Sequence, residues 1–278
     1  MKNHLVIATC QFPVSADIDK NAACIMKQMA SARDHGADVA HFSESSLSGY
    51  AGIDFKRINK QHSVILQGAL DKISDLASKL ELWAIIGGHQ FEGRQKKPYN
   101  CLWIIDSRGN VAHRYDKRFC TGKAGELEHF HYKPGRDAVQ FKIRGIPCGV
   151  LTCHEWRYPE LYREQFGLGT KVLFQSWYDG NLSKAEYQTQ GREMGSLITG
   201  TVRGSAANNQ LWISASNTSR KESCFASFVV RPDGRIVHQL KRNVAGVLIT
   251  WINSREKFAD PSGPWRQRAR KGILHSGV

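Results

Sequence analysis

Three short segments of this 278-residue chain each set one reactive side chain at the end of an apolar, strand-like run. Phe42-Ser43-Glu44, leading to Gly49-Tyr50, supplies a carboxylate. Tyr115-Asp116-Lys117 supplies an ammonium, and Gly149-Val150-Leu151-Thr152-Cys153-His154-Glu155 a thiol. A thiol attacks carbon as the thiolate. A carboxylate takes that proton and returns it to a leaving group. A nearby ammonium favours the thiolate and holds an oxyanion, with the backbone N–H of His154 as a second donor. These are the parts for acyl transfer through a thioester, as in hydrolysis of a C–N bond.

Each residue also has a plainer reading. A lone Cys after a strand is usually a core cysteine. Glu44 could be an exposed loop residue, although its place between Val39–Phe42 and Gly49-Tyr50 is unusual for a solvated charge. Lys117 sits among His113, Arg114 and Arg118 and could belong to a basic surface run. Tyr50, Trp177 and Tyr178 lie near strand ends, where an aromatic lines a pocket or simply packs. His129, His131 and His154 lack the spacing of a metal site, so no metal is expected.

The elements that must position these groups can be read from periodicity. Leu5–Cys10 is a short apolar strand. A helix from Asp19 to His35 buries Ala22, Ile25, Met29 and Ala32, and Gly36 ends it. Val39–Phe42 is the strand that delivers Glu44. Leu66, Leu70, Ile73, Ala77 and Leu80 recur at helical spacing, and Trp83–Gly88 follows as a strand. Cys101–Asp106 and Val111–Tyr115 pair as a hairpin around Ser107–Asn110 and deliver Lys117. Val139–Ile143 and Cys148–Thr152 pair across Gly145-Ile146-Pro147 and deliver Cys153. Pro159 suits the first turn of a helix. A strand at 171–175, a helix near 192–209 and strands at 211–216, 225–231, 235–240 and 244–252 complete the pattern. This mixture makes an α/β layered fold without fixing its topology.

Composition bounds the rest. Hydrophobic residues make up 41% of the chain, enough for a sizeable core, and no linker or repeat divides it. One domain is expected over 1–257, with a polar tail over 258–278. No apolar run approaches a membrane span, and the first residues do not read as a signal peptide. The seven cysteines are scattered and odd in number, which fits a reducing cytoplasm. The net charge of +14 raises nucleic acid as a partner, but no reading motif accompanies it. A solvated basic face or attraction of an anionic substrate are the alternatives.

The order Glu44, Lys117, Cys153 in these flanks resembles the carbon–nitrogen hydrolase (nitrilase) superfamily. The strongest match is Cys153-His154-Glu155-Trp156-Arg157-Tyr158-Pro159-Glu160-Leu161-Tyr162-Arg163, similar to the family run C-x-D-x-R-F-P-E-L-Y-R. The resemblance implies a four-layer α-β-β-α sandwich, often extended across a dimer interface. It implies Cys153 as nucleophile, Glu44 as general base and Lys117 as oxyanion stabiliser. It implies a supporting glutamate at Glu128, with Glu126 its competitor. No cofactor is implied. The expected function is hydrolysis of a small amide or N-carbamoyl compound by a homodimer or larger assembly, without nucleic acid or membrane partners. The alternatives are a nitrilase and a non-catalytic binding member. Three departures bear on the substrate and on helix contacts. Glu155 stands where Asp is common and is a further pocket candidate, Asn208 stands where Glu often precedes Asn, and Cys224–Ser227 replaces Gly-x-Ser.

Overall fold

A computed structural model of the chain describes residues 3–93, 95–180 and 182–277. Met1, Lys2, Arg94, Asn181 and Val278 lie outside the described residues. The first half runs β1 (His4–Gln11), α1 (Ile18–Asp34), β2 (Val39–His41), α2 (Lys60–Leu80), β3 (Trp83–Gln90), β4 (Tyr99–Ile105), β5 (Val111–Asp116) and α3 (Leu127–His131). The second half runs β6 (Gln140–Ile143), β7 (Ile146–Thr152), a 3₁₀ turn over Cys153–Arg157, α4 (Pro159–Gly167), β8 (Val172–Ser176), α5 (Lys184–Asn209), β9 (Trp212–Ser216), β10 (Phe228–Val230), β11 (Ile236–Gln239), β12 (Gly246–Asn253) and α6 (Gly263–Arg270).

The strands form two six-stranded sheets, in the orders β12-β1-β2-β3-β4-β5 and β11-β10-β9-β8-β7-β6. Strand alternation explains why both faces of each sheet are apolar. In β1, Leu5 and Ile7 face the second sheet, while Val6, Ala8 and Cys10 pack under α1 and α2. In β7 and β8, Val150 and Phe174 face the first sheet, while Leu151 and Leu173 pack with α4 and α5. Helices therefore cover the outer face of each sheet, and the expected α-β-β-α sandwich is present. Burial on both faces also accounts for the continuous apolar runs of these strands.

Local chemistry sets the boundaries. The Asp17 side chain, not that of Asp19, caps α1 by accepting from the Lys20 N–H at 3.0 Å. Helix α5 starts eight residues before the expected Arg192. Ser183 and Glu186 form a capping box there, with bonds of 2.8 and 3.2 Å. The turn between β6 and β7 is Arg144-Gly145, both left-handed, so Pro147 lies inside β7 rather than in the turn. The 258–278 tail is not featureless. Its helix α6 is anchored by Arg266, which pairs with Asp260 and donates from Nε to the Asn208 carbonyl at 2.7 Å.

A polar seam crosses the sheet interface at its end nearest the reactive residues. The His41 ring bridges Ser214 Oγ at 2.8 Å and Ser176 Oγ at 3.0 Å, and Ser214 meets Thr9 Oγ1 at 2.7 Å. Burial holds the His41 pKa down to about 3, so the ring is a neutral structural link. Among the described residues no helix is long and apolar enough to cross a membrane.

Candidate active site

Three adjacent parallel strands end level with one another: Thr152 of β7 pairs with Ser176 of β8, which pairs with Ser216 of β9. Past those ends come Cys153, then Trp177-Tyr178-Asp179, then Asn217 to Arg220. Across the interface, β2 ends at His41 and releases Glu44, and β5 ends at Asp116 and releases Lys117. Ligand sites in α/β folds commonly lie outside the carboxyl ends of strands, and here both sheets contribute.

The Glu44 loop is tight and wholly buried from Ser43 to Ser48. It rests directly on Gly87 of β3, where a Cβ would stand 2.4 Å from the Ser45 nitrogen. Gly87 also bonds the loop on both sides, through its N–H to Ser46 Oγ and its carbonyl to the Leu47 N–H. The backbone of Glu44 is thereby fixed before its side chain makes any contact.

Glu44, Lys117 and Glu128 then form one buried cluster. The Lys117 ammonium donates to Glu44 Oε1 and to Glu128 Oε2, both at 2.8 Å. Asn100 of β4, which the sequence reading missed, donates from Nδ2 to both carboxylates at 2.7 Å. Glu128 also accepts the Thr121 N–H at 2.8 Å. It lies on α3 and is buried, so Glu128 rather than Glu126 enters the cluster. Asn100→Ala should destabilise the fold by about 1–3 kcal/mol through loss of these bonds, read as the urea midpoint. An unchanged midpoint would mean that the amide carries no load.

The environments of the two carboxylates diverge. Burial raises the Glu44 pKa, Glu128 adds to this, and Lys117 offsets it only in part. For Glu128, burial pushes up, but Lys117, Thr121 and Asn100 together pull the net value down. Lys117 is held above its ordinary value: burial opposes the charge, but the two carboxylates outweigh it. Glu128 is thus the standing counter-ion of Lys117, and Glu44 is the carboxylate suited to gain and lose a proton. Glu44 Oε2 has no hydrogen-bond partner among the described residues.

Cys153 opens the 3₁₀ turn with a left-handed φ of 36°, a strained setting for a residue with a side chain. Burial raises its thiol pKa well above the ordinary value, and Glu44 adds to the rise. Lys117 and the Tyr178 backbone N–H pull the other way without reversing it. The resting group is a thiol, so the ammonium alone does not make the thiolate that the sequence reading expects it to favour. The His154 N–H lies in the first turn of the helix, where backbone donors have no intrahelical acceptor.

Glu155 corrects the sequence reading. It is fully buried and is not part of the cavity lining. Its carboxylate accepts the Tyr115 hydroxyl and the N–H groups of Arg118 and Thr152, all at 2.7 Å. It ties the turn carrying Cys153 to the strand end carrying Lys117. Tyr50, Trp177 and Tyr178 do line the cavity, which holds about 650 Å³. Cys153 and Glu128 lie in its wall, Leu182, Met194 and Ile198 form an apolar side, and His131, His154 and Arg157 bring nitrogen groups. Among the described residues no group of three His, Cys, Asp or Glu is placed to hold a metal ion.

Comparison with known proteins gives the same family at two levels. The family described as carbon-nitrogen hydrolase matches residues 6–257. A glutamine-dependent NAD(+) synthetase of Xylella fastidiosa is 33% identical over 165 residues, covering 58% of this chain and 29% of the synthetase. The deaminated glutathione amidase of Mus musculus is 25% identical over 183 residues, 60% of this chain and 54% of that protein. The 2-oxoglutaramate amidase of Bacillus subtilis is 25% identical over 157 residues, 55% of this chain and 56% of the relative. The matched region thus spans between about a third and about a half of these curated relatives. In structure, an amidase from Nesterenkonia sp. superposes with a TM-score of 0.78 at 17% identity, over 99% of this chain and 98% of the other.

Proposed function

The chain belongs to the carbon–nitrogen hydrolase family, and on that premise we propose that it hydrolyses a small amide or N-carbamoyl compound through a thioester on Cys153. The observation that carries this reading is the convergence of a raised-pKa carboxylate, an enclosed ammonium and a thiol on one cavity.

The sulfur of Cys153 attacks the carbonyl carbon as its proton passes to Glu44. The oxyanion so formed is held by the Lys117 ammonium and the His154 N–H. Collapse breaks the C–N bond, and Glu44 gives its proton to the departing nitrogen. Water then attacks the thioester carbonyl, losing a proton to Glu44, and the acid leaves as the proton returns to sulfur. A carbamoyl substrate ends as carbamate, which loses carbon dioxide. Support comes also from the Nesterenkonia sp. AN1 amidase, where the acetamide moiety of fluoroacetamide adds covalently at the active-site cysteine.

The test is an ammonia-release screen over amides, N-carbamoyl amines and nitriles, with Cys153→Ala as control. It should begin with 2-oxoglutaramate and deaminated glutathione, the compounds in the names of two relatives. Release from amides or carbamoyl compounds is expected. Consumption of nitriles alone would make the protein a nitrilase, and no Cys153-dependent turnover would leave a binding role.

A homodimer is part of the same proposal. Trp265 and Leu274 of the anchored tail are exposed at 46% and 84%, apolar surface that a second copy would cover. Sedimentation should give twice the chain mass, and deletion after Asp260 should lower it. A monomeric full-length protein would refute the dimer.

A further inference from the structure

One buried ion pair lies outside the catalytic cluster and joins three loops of the cavity wall. Asp54 follows Tyr50 in the loop after β2, and its side chain is 3% exposed. Its Oδ2 accepts the Tyr50 N–H and the Tyr178 hydroxyl, both at 2.8 Å. Its Oδ1 is paired with the Arg220 guanidinium, from the loop after β9. Arg220 also donates to the Tyr178 hydroxyl at 2.7 Å, and the Asn243 side chain holds the Arg220 carbonyl. Each donor and acceptor in this knot comes from a different strand end.

The knot reaches the nucleophile by a short route. Tyr178 lies two residues past Ser176, and Ser176 stands level with Thr152, the residue before Cys153. The Tyr178 backbone N–H acts on the Cys153 sulfur. The Tyr50 ring packs on the Tyr178 ring, with centroids 4.8 Å apart, and lines the same cavity. Tightening or loosening the Asp54–Arg220 pair therefore moves both tyrosines against Cys153.

We infer that Asp54 and Arg220 are positioning residues for the reaction proposed above, a clamp that sets the Tyr178 backbone and the Tyr50 ring against Cys153. The inference rests on Cys153 being the nucleophile. It names no substrate.

Opposite charges make the test decisive. Asp54→Asn removes an anion and Arg220→Met a cation, so a direct field effect on the thiol would shift it in opposite directions. Loss of positioning moves both the same way, because the Tyr178 N–H is misplaced in each. The readout is alkylation of Cys153 by iodoacetamide across pH, followed on the Cys153 peptide by mass spectrometry. Both variants should alkylate ~10-fold more slowly at pH 8, the effect of a thiol pKa about one unit higher. With a turned-over substrate, kcat should fall ~10- to 100-fold with KM little changed, the cost of slight misplacement. Tyr178→Phe, which keeps the N–H but unties it from the clamp, should move the profile in the same direction. Arg220→Lys should restore part of the rate.

Opposite shifts in the two charge variants would overturn the clamp in favour of a simple field. Unchanged alkylation and kcat with only a lower Tm would reduce the pair to a structural role. Alkylation needs no substrate. A wild type that turns over no amide yet shows these shifts would sink the hydrolase reading and leave the clamp standing.

Discussion

Cys153→Ala should abolish turnover while leaving the fold intact. The side chain is small, and the helix cap beside it is made by the Glu155 carboxylate on the Thr152 N–H rather than by sulfur. Serine should not rescue. Burial already holds the Cys153 thiol far above its ordinary pKa, and an alcohol in the same place is harder still to deprotonate. Glu44 has to take the proton as the bond forms, and only sulfur is nucleophilic enough to use so weak a base. In wild type, a slow substrate trapped by acid should leave an acyl mass on the Cys153 peptide. Cys148 is the internal control. It lies on the same strand, but its pKa is pushed up to about 12 and its side chain faces the sheet interface. An adduct on Cys148, or full activity in Cys153→Ala, would remove Cys153 from the mechanism.

The reactive positions were legible because each lies just past a strand whose apolar pattern is strong. Once the hairpin over 99–116 and the elbow after β7 are read, Lys117 and Cys153 must sit at sheet ends. Which ends meet was not legible, since register between sheets leaves no local trace. Asn100 shows what could have been found. In β4, Asn100, Leu102 and Ile104 form the inward row, and Leu102 and Ile104 pack into the inter-sheet core. One amide heading an otherwise aliphatic row signals a buried partner, and here it has two. Glu155 went the other way. A carboxylate two residues from a thiol invites a substrate role, but three of its bonds go to groups some 36 to 40 residues away. Arg266 was hidden likewise inside a run of basic tail residues, because its partners Asp260 and Asn208 come from a loop and from the end of α5. Asp54 and Arg220 are 166 positions apart.

Lys117→Met should have the broadest effect, on rate and stability together. Loss of one preorganised oxyanion donor typically costs ~100- to 1000-fold in kcat, and the methionine offers no replacement. The variant also leaves Glu44 and Glu128 side by side with no cation, in a site where all three side chains are almost wholly buried. Removing one partner from such a buried arrangement costs about 3–5 kcal/mol near neutral pH. The pH dependence identifies the cause. In wild type, Glu128 has a lowered folded pKa, so its contribution is present above the unfolded carboxylate pKa and is lost as pH falls through the folded value. Glu44 has a raised folded pKa and acts in the opposite sense, its contribution being lost as pH rises. Without Lys117 both carboxylates are raised by burial and by each other, so both contributions are greatest in acid and fade as pH rises. Urea midpoints from pH 4 to 8 should therefore fall steadily in Lys117→Met, where the two slopes oppose each other in wild type. Lys117→Arg should not restore the rate, because a broad planar guanidinium does not fit a site shaped around one ammonium. A variant with near-wild-type turnover, or with a stability loss independent of pH, would show that Lys117 is not the charge on which the two carboxylates depend.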